Sequence, residues 1–294
     1  MQGGHGRTRF QTKLMPLTVG NTDKGFTIIE VLIVLAVTSF MLISAVYLIS
    51  NKQNQTSFDQ SIRNVQTELQ QVASDVASGY YQSDGNISCT STSGLPKLTD
   101  TAADLGTNDG CVFLGKMVQY GVAPLADPQT YNIYTIAGLQ GTQLAPSTDL
   151  ISAKSRLIAR GSAATEASVP DVYDTKQLQY GLTLSKMYYN NNQTNPIRAF
   201  GFVSSLKTIG ADDTSQQDDI VVIPVGTIAA DKVAAVDGIN TALLDGSAVV
   251  NPADGVQLCF NSGGTDQSGL ITVGGQGRQS GLIDLKIFST QDCI

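Results

Sequence analysis

The sequence predicts an α+β fold: a long N-terminal helix, its first half transmembrane, packed on an antiparallel β-sheet head. Three observations carry this. Phe26 to Ser50 is an apolar run whose only charge is Glu30. Phe58, Ile62, Val65, Leu69, Val72 and Val76 then recur at spacings of 4, 3, 4, 3 and 4, which is one face of a helix. From residue 111 onward, runs rich in Val, Ile, Tyr and Phe are separated by clusters of Gly, Asn, Asp and Pro, the pattern of strands and hairpins.

The chain has 294 residues, enough for one or two domains with a sizeable core. Apolar residues make up 41% and Pro only 9 positions, which excludes wholesale disorder. The net charge of −7 argues against a bulk nucleic-acid coat. The single histidine is His5, so a His-centred catalytic triad or His-rich zinc site in the body of the chain is excluded. Charge is unevenly divided. In residues 1–25, Arg7, Arg9, Lys13 and Lys24 against Asp23 leave +3, so the remaining 269 residues carry −10. A basic head before an apolar run predicts that residues 1–25 stay cytoplasmic and residue 51 onward lies outside.

The apolar run is 25 residues long with no Pro or Gly. As a helix it spans roughly 37 Å, enough for a hydrocarbon core of about 30 Å. It exceeds the h-region of about 7–15 residues in a cleaved secretory signal. Glu30 is the exception within it. A carboxylate in lipid costs roughly 2.5–3.5 kcal/mol, so such a residue is generally paired and functional. It lies near the helix start, where the dipole favours an anion. Cleavage after Gly25 would give Phe26 a free amine and make Glu30 the fifth residue. The terminal amine of a neighbouring subunit could then neutralise Glu30 inside an apolar assembly.

The run Lys24-Gly25-Phe26-Thr27-Ile28-Ile29-Glu30-Val31-Leu32-Ile33-Val34 resembles the class III signal of type IV pilins and pseudopilins. The resemblance covers about residues 24–50. It implies that a membrane-embedded prepilin peptidase cuts after Gly25 and methylates the new N-terminal Phe26, and that Glu30 serves assembly. It also implies a pilin-like α/β roll for the head, with other pilins or pseudopilins, the peptidase, an inner-membrane assembly platform and membrane lipid as partners. A leader of 25 residues is long for the shortest pilin leaders; a start at Met15 would shorten it to Met15–Gly25.

The expected organisation is a leader at 1–25, a transmembrane and filament-core helix at 26–50, an amphipathic continuation at 51–81, and an extracellular β-rich head at 82–294. One helix is expected from Phe26 to Gly79. Residues 82–110, rich in Ser, Thr, Gly and Asp, read as a loop. Strands are expected at Cys111–Tyr120, Tyr131–Ala137, Leu178–Leu184, Ala199–Leu206, Ile220–Val225, Val256–Phe260, Leu270–Val273 and Leu282–Phe288. Asn190 to Pro196 reads as a turn or loop between two of them. Residues 147–160 and 229–244 fit short helices or long loops.

Four cysteines, Cys89, Cys111, Cys259 and Cys293, lie on the side expected to be oxidising. Pairing of neighbours gives Cys89–Cys111 and Cys259–Cys293, one of three possible connectivities. The second loop would then resemble the disulfide-bounded C-terminal region of many pilins. No C-x-x-C occurs, which disfavours zinc.

Other motifs carry less. Gly110 to Lys116 fits the spacing GxxxxGK, but its interior is Val112-Phe113-Leu114 and Met117 replaces the hydroxyl residue, so a buried strand is the better reading. Gly274 to Gly281 reads as a flexible turn. It is loosely similar to a C-terminal region through which some minor pilins bind DNA, but Arg278 is its only basic residue, with Lys286 nearby; DNA binding is therefore disfavoured. Asp212, Asp213, Asp218 and Asp219 do not follow the EF-hand spacing and read as a solvated acidic loop. No nucleophile–base–acid set stands out. The expected function is therefore a minor pilin or pseudopilin rather than an enzyme, with no metal or cofactor. The alternatives are a DNA-binding minor pilin serving uptake and a membrane-anchored adhesin or enzyme that does not polymerise.

Overall fold

The computed structural model describes residues 25–79, 88–92, 94–99, 111–121, 129–139, 141–142, 145–146, 151–157, 174–194, 196–204, 220–225, 232–245, 253–263, 265–275, 283–290 and 293. The chain divides into two compact units at Ile49–Ser50. Helix α1 runs Ile28–Ala77. It starts two residues later than Phe26 because Thr27 caps it. The Glu30 N–H donates to the Thr27 carbonyl at 3.0 Å and to its Oγ1 at 3.4 Å, which satisfies a donor that the first turn would otherwise leave open. It ends at Ala77, and the turn that follows closes on Gly79, whose φ of 64° suits a residue without Cβ.

In the second unit the chain adds β1 (Ser88–Thr92), β2 (Leu95–Thr99), β3 (Cys111–Tyr120), β4 (Thr130–Leu139), β5 (Gly141–Thr142), β6 (Ala145–Pro146), β7 (Arg156–Leu157), β8 (Asp174–Gln177), β9 (Leu182–Tyr189), β10 (Ala199–Ser204), β11 (Ile220–Val225), α2 (Lys232–Asp245), β12 (Val256–Ser262), β13 (Ser268–Val273) and β14 (Ile283–Phe288). Every strand pairing is antiparallel. One sheet has the order β11-β10-β3-β4, with β7 and β8 both on the outer edge of β4; a second has the order β14-β13-β12-β9. The fold class is α+β, as the sequence predicts.

The stripe Phe58, Ile62, Val65, Leu69, Val72 and Val76 is buried throughout. It forms one core with Tyr120, Tyr131, Phe200 and Phe202 of the first sheet and Leu258, Phe260 and Ile271 of the second. Each such side chain contributes about 1.5–3 kcal/mol on full burial, so this face outweighs any surface ion pair. The opposite face of the first sheet makes a separate core, where Met117, Tyr134, Ile136 and Ile223 meet Ala153, Leu157 and α2 residues Ile239 and Leu243. Cover on both faces explains why β10 and β11 read as nearly continuous apolar runs rather than alternating ones.

Three expectations need correction. Residues 82–110 are not wholly loop: β1 and β2 pair with each other. β1 is Ser/Thr-rich and β2 carries Pro96 inside it, so neither shows the apolar alternation that reveals a strand. The strand expected at Leu178–Leu184 is broken. Its period of two comes from Leu178, Tyr180, Leu182 and Leu184, but Tyr180 and Gly181 have φ of 53° and 69°, and the Leu182 N–H donates to the Gln179 carbonyl at 3.1 Å. That is a type I′ turn, and it carries the chain from β8 in one sheet to β9 in the other. Of the two segments read as short helices or long loops, 229–244 holds helix α2 but for its last residue, while 147–160 contains the short strand β7, which neither reading foresaw.

Polar contacts fix the rotational setting of α1 within this unit. Ser61 Oγ donates to the Gln179 carbonyl at 2.8 Å, and Gln66 Nε2 donates to the Ile283 carbonyl at 3.3 Å. Asp75 pairs with the buried Lys116 of β3 at 2.5 Å. Tyr131 of β4 donates its hydroxyl to Glu68. Burial raises the Glu68 carboxyl above its ordinary value; Lys176 of β8 pulls the other way and Asp174 adds to the rise. The folded state therefore holds this proton more tightly than the unfolded one. The resulting stabilisation is complete below the ordinary pKa of 4.5 and is lost as pH rises through the folded pKa. A Glu68→Gln chain is expected to unfold at higher denaturant than the parent near neutrality, with the gap closing in acid. Equal midpoints at both pH values would refute this.

Candidate processing and assembly site

The candidate processing and assembly residues, Gly25, Phe26 and Glu30, lie together at one end of α1. Gly25 and Phe26 precede the helix and are exposed, Phe26 by 79%. Among the described residues, a Cβ on Gly25 would meet nothing within 4 Å. Thr27 then begins the helix, and Glu30 occupies its first turn. The spacing Thr27-x-x-Glu30 is that of a capping box. Sequence reasoning had assigned Glu30 to assembly alone. The Thr-x-x-Glu spacing was the overlooked signal that it also stands where a capping residue stands.

Beyond Glu30 the surface is apolar on every side. Ile28, Ile29, Leu32, Ile33, Leu35, Phe40, Leu42, Ile43 and Leu48 are all exposed. Two of the hydroxyl residues in the run, Thr38 and Ser44, are satisfied within the helix. Thr38 Oγ1 donates to the Val34 carbonyl at 2.8 Å, and Ser44 Oγ to the Phe40 carbonyl at 2.9 Å. Glu30 is thus the one ionisable side chain between Phe26 and Tyr47. A helix apolar all round needs lipid or other helices around it, and this one is long and apolar enough to cross a membrane.

Residues 20–46 match the prokaryotic N-terminal methylation motif. This segment is the type IV pilin and pseudopilin signal. Neither a curated protein nor a solved structure matches the chain. The methylation motif and the apolar helix together point to membrane anchoring, and the motif points in general to processing by a prepilin peptidase and to association with other pilins. Residues 1–24, Lys24 of the motif among them, lie outside the described residues.

The remaining candidates lie in the second unit. Cys259 and Cys293 form a disulfide with Cα atoms 5.8 Å apart, tying β12 to the C-terminus. Closing a loop of 34 residues contributes about 3–4 kcal/mol in the chain-entropy account. The side chains of Cys89 and Cys111 lie outside the described ones. Lys116 of the GxxxxGK spacing is in strand β3 and is paired with Asp75, so it is not presented to a phosphate. Asp212, Asp213, Asp218, Asp219 and Arg278 lie outside the described residues. Among the described residues no group of three His, Cys, Asp or Glu side chains is placed to hold a metal.

Proposed function

We propose that the chain is a minor pilin or pseudopilin, a structural subunit of a type IV pilus or a type II secretion-like filament. One observation carries the reading. An exposed Gly25–Phe26 peptide directly precedes a helix whose surface is apolar on all sides and carries one carboxylate in its first turn. Cleavage after Gly25 removes the basic leader, and methylation marks the new amine of Phe26. Residues 26–50 reside in the inner membrane, with the head outside, until they leave lipid for a bundle of like helices. Apolar surface is then exchanged for apolar surface, so dispersion and packing hold the bundle with little hydrophobic gain.

Glu30 sets the register of that bundle. Unpaired it is costly in an apolar medium, and a neighbour's terminal amine relieves the cost only at one axial offset. The work of the protein is assembly rather than turnover, with the assembly platform and other pilins as its partners. Its mature length of 269 residues after cleavage favours a minor over a major subunit.

The test is the mature N-terminus. Mass spectrometry of the chain from cells with a prepilin peptidase is expected to find a peptide beginning at N-methylated Phe26, and that peptide is expected to vanish in cells without the enzyme. An intact or differently cut terminus would leave a simple membrane anchor.

A further inference from the structure

The tripeptide Asn-Gln-Thr occurs twice, as Asn54-Gln55-Thr56 and as Asn192-Gln193-Thr194. Both satisfy the Asn-x-Ser/Thr pattern of an N-linked sugar acceptor, which is read on surface loops of exported proteins. The fold separates them. Asn54 and Thr56 are inside α1, where residues two apart point to different sides. The Thr56 hydroxyl is spent on the Lys52 carbonyl at 3.0 Å.

The second copy is in the turn after β9. Asn190 and Asn191 have φ of 52° and 54°, and the Asn192 N–H donates to the Tyr189 carbonyl at 3.0 Å, closing a type I′ turn. The first two asparagines anchor the turn from below. Asn190 Oδ1 accepts from the Asp254 N–H at 3.1 Å. The Asn191 N–H donates to Gln257 Oε1 at 3.2 Å, and Gln257 Nε2 donates to Asn191 Oδ1 at 2.9 Å. Gln257 itself is buried. The third asparagine faces outward with Gln193 and Thr194, all three exposed. Asn192 Oδ1 accepts from the Thr194 hydroxyl at 2.6 Å and from the Thr194 N–H at 3.1 Å.

We infer that Asn192 is an acceptor for an N-linked sugar, delivered from a lipid pyrophosphate-linked donor by a transferase on the outer side of the membrane. In the transfer, Asn192 Nδ2 forms a bond to the anomeric carbon of the sugar. The bond from that carbon to the pyrophosphate oxygen breaks, the electron pair leaves with the lipid pyrophosphate, and the amide proton passes to a carboxylate of the transferase. As the nitrogen loses its proton, negative charge develops on Oδ1, where two donors from Thr194 already point. A rigidly based, outward turn lets the enzyme reach the amide without unfolding β9.

The inference rests on the outward location of the head in the proposed function. It is tested where location plays no part. The purified full chain in detergent is incubated with an oligosaccharyltransferase and a lipid pyrophosphate-linked glycan, beside an unstructured Asn-Gln-Thr peptide that the enzyme glycosylates, and tryptic peptides are weighed. The glycan mass is expected on the peptide containing Asn192 and not on that containing Asn54. It is expected to be lost in Thr194→Ala and Asn192→Gln and retained in Thr194→Ser. An unmodified Asn192 beside a modified control peptide, or equal modification of Asn54, would overturn the inference. Either result leaves the anchoring and processing reading to the mature N-terminus.

Discussion

A Gly115→Ala chain is expected to lose about 3 kcal/mol or more of folding stability. Gly115 lies at the bulge in β3, opposite Ile136 of β4 and Val203 of β10. A Cβ there would come 2.0 Å from the Phe202 carbonyl oxygen and 2.9 Å from the Val203 Cα. Both obstacles are backbone, so no rotamer change relieves them. The remedy open to the chain is to part β3 from β10. That breaks ladder hydrogen bonds in the middle of a sheet and loosens Phe200 and Phe202, which are fully buried.

Gly269 makes a useful contrast. A Cβ there would come 1.9 Å from Ile62 Cδ1, the end of a side chain on the packing face of α1. Shortening Ile62 to Val removes that atom, so Ile62→Val is expected to recover much of the loss in Gly269→Ala and none of it in Gly115→Ala. The chain lacks Trp, but the buried Tyr120, Tyr131 and Tyr134 report tertiary packing in near-ultraviolet circular dichroism. Denaturant midpoints of the full chain in detergent measure all four variants. A Gly115→Ala unfolding free energy within about 0.5 kcal/mol of the parent's would show that the bulge tolerates a methyl group.

These glycines also mark the limit of what could be read from the sequence. The stripe from Phe58 to Val76 was legible because a helix repeats its buried face every three or four residues, whatever packs on it. Strands β10 and β11 were legible for a similar reason: two covered faces demand a nearly continuous apolar run bounded by turn residues. The N-terminal segment was legible because its constraints are local. A run of apolar residues, one carboxylate and the residue pair before them lie within a few helical turns. What escaped depends on partners distant in sequence or on backbone conformation. Nothing in Gly115 announces that Phe202 will lie against it. Glu68 and Tyr131 are separated by 63 positions, and neither is unusual alone. The turn at Tyr180–Gly181 was hidden because a tyrosine with positive φ continued the alternation of a strand. Hairpin β1–β2 is held by backbone pairing between a Ser/Thr-rich strand and one interrupted by Pro96, and hydrophobic periodicity is silent about such a pair.

Replacing Glu30 with glutamine is expected to leave processing and helix formation intact while abolishing incorporation into filaments. The substitution separates two roles that alanine would confound. Glutamine serves at the third position of a capping box as glutamate does, so Thr27 still begins the helix. The cut between Gly25 and Phe26 lies outside that helix, in exposed backbone. Glutamine removes only the charge. In the proposed assembly the charge is what penalises every offset except the one bringing a neighbour's terminal amine to Glu30. An unpaired carboxylate in an apolar medium costs about 2.5–3.5 kcal/mol, and every 1.4 kcal/mol is a factor of about ten. Loss of the pairing therefore corresponds to roughly a hundredfold fall in occupancy of the correct register. Glu30→Asp is a sharper probe. It keeps the charge but shortens its reach by one methylene, so partial incorporation is expected. Sheared filaments and membranes from the two variants and the parent, compared by quantitative mass spectrometry of the Phe26 peptide, measure processing and incorporation together. Normal incorporation of Glu30→Gln would assign Glu30 to capping and remove it from assembly. A failure of cleavage would instead place the carboxylate among the groups that the peptidase recognises.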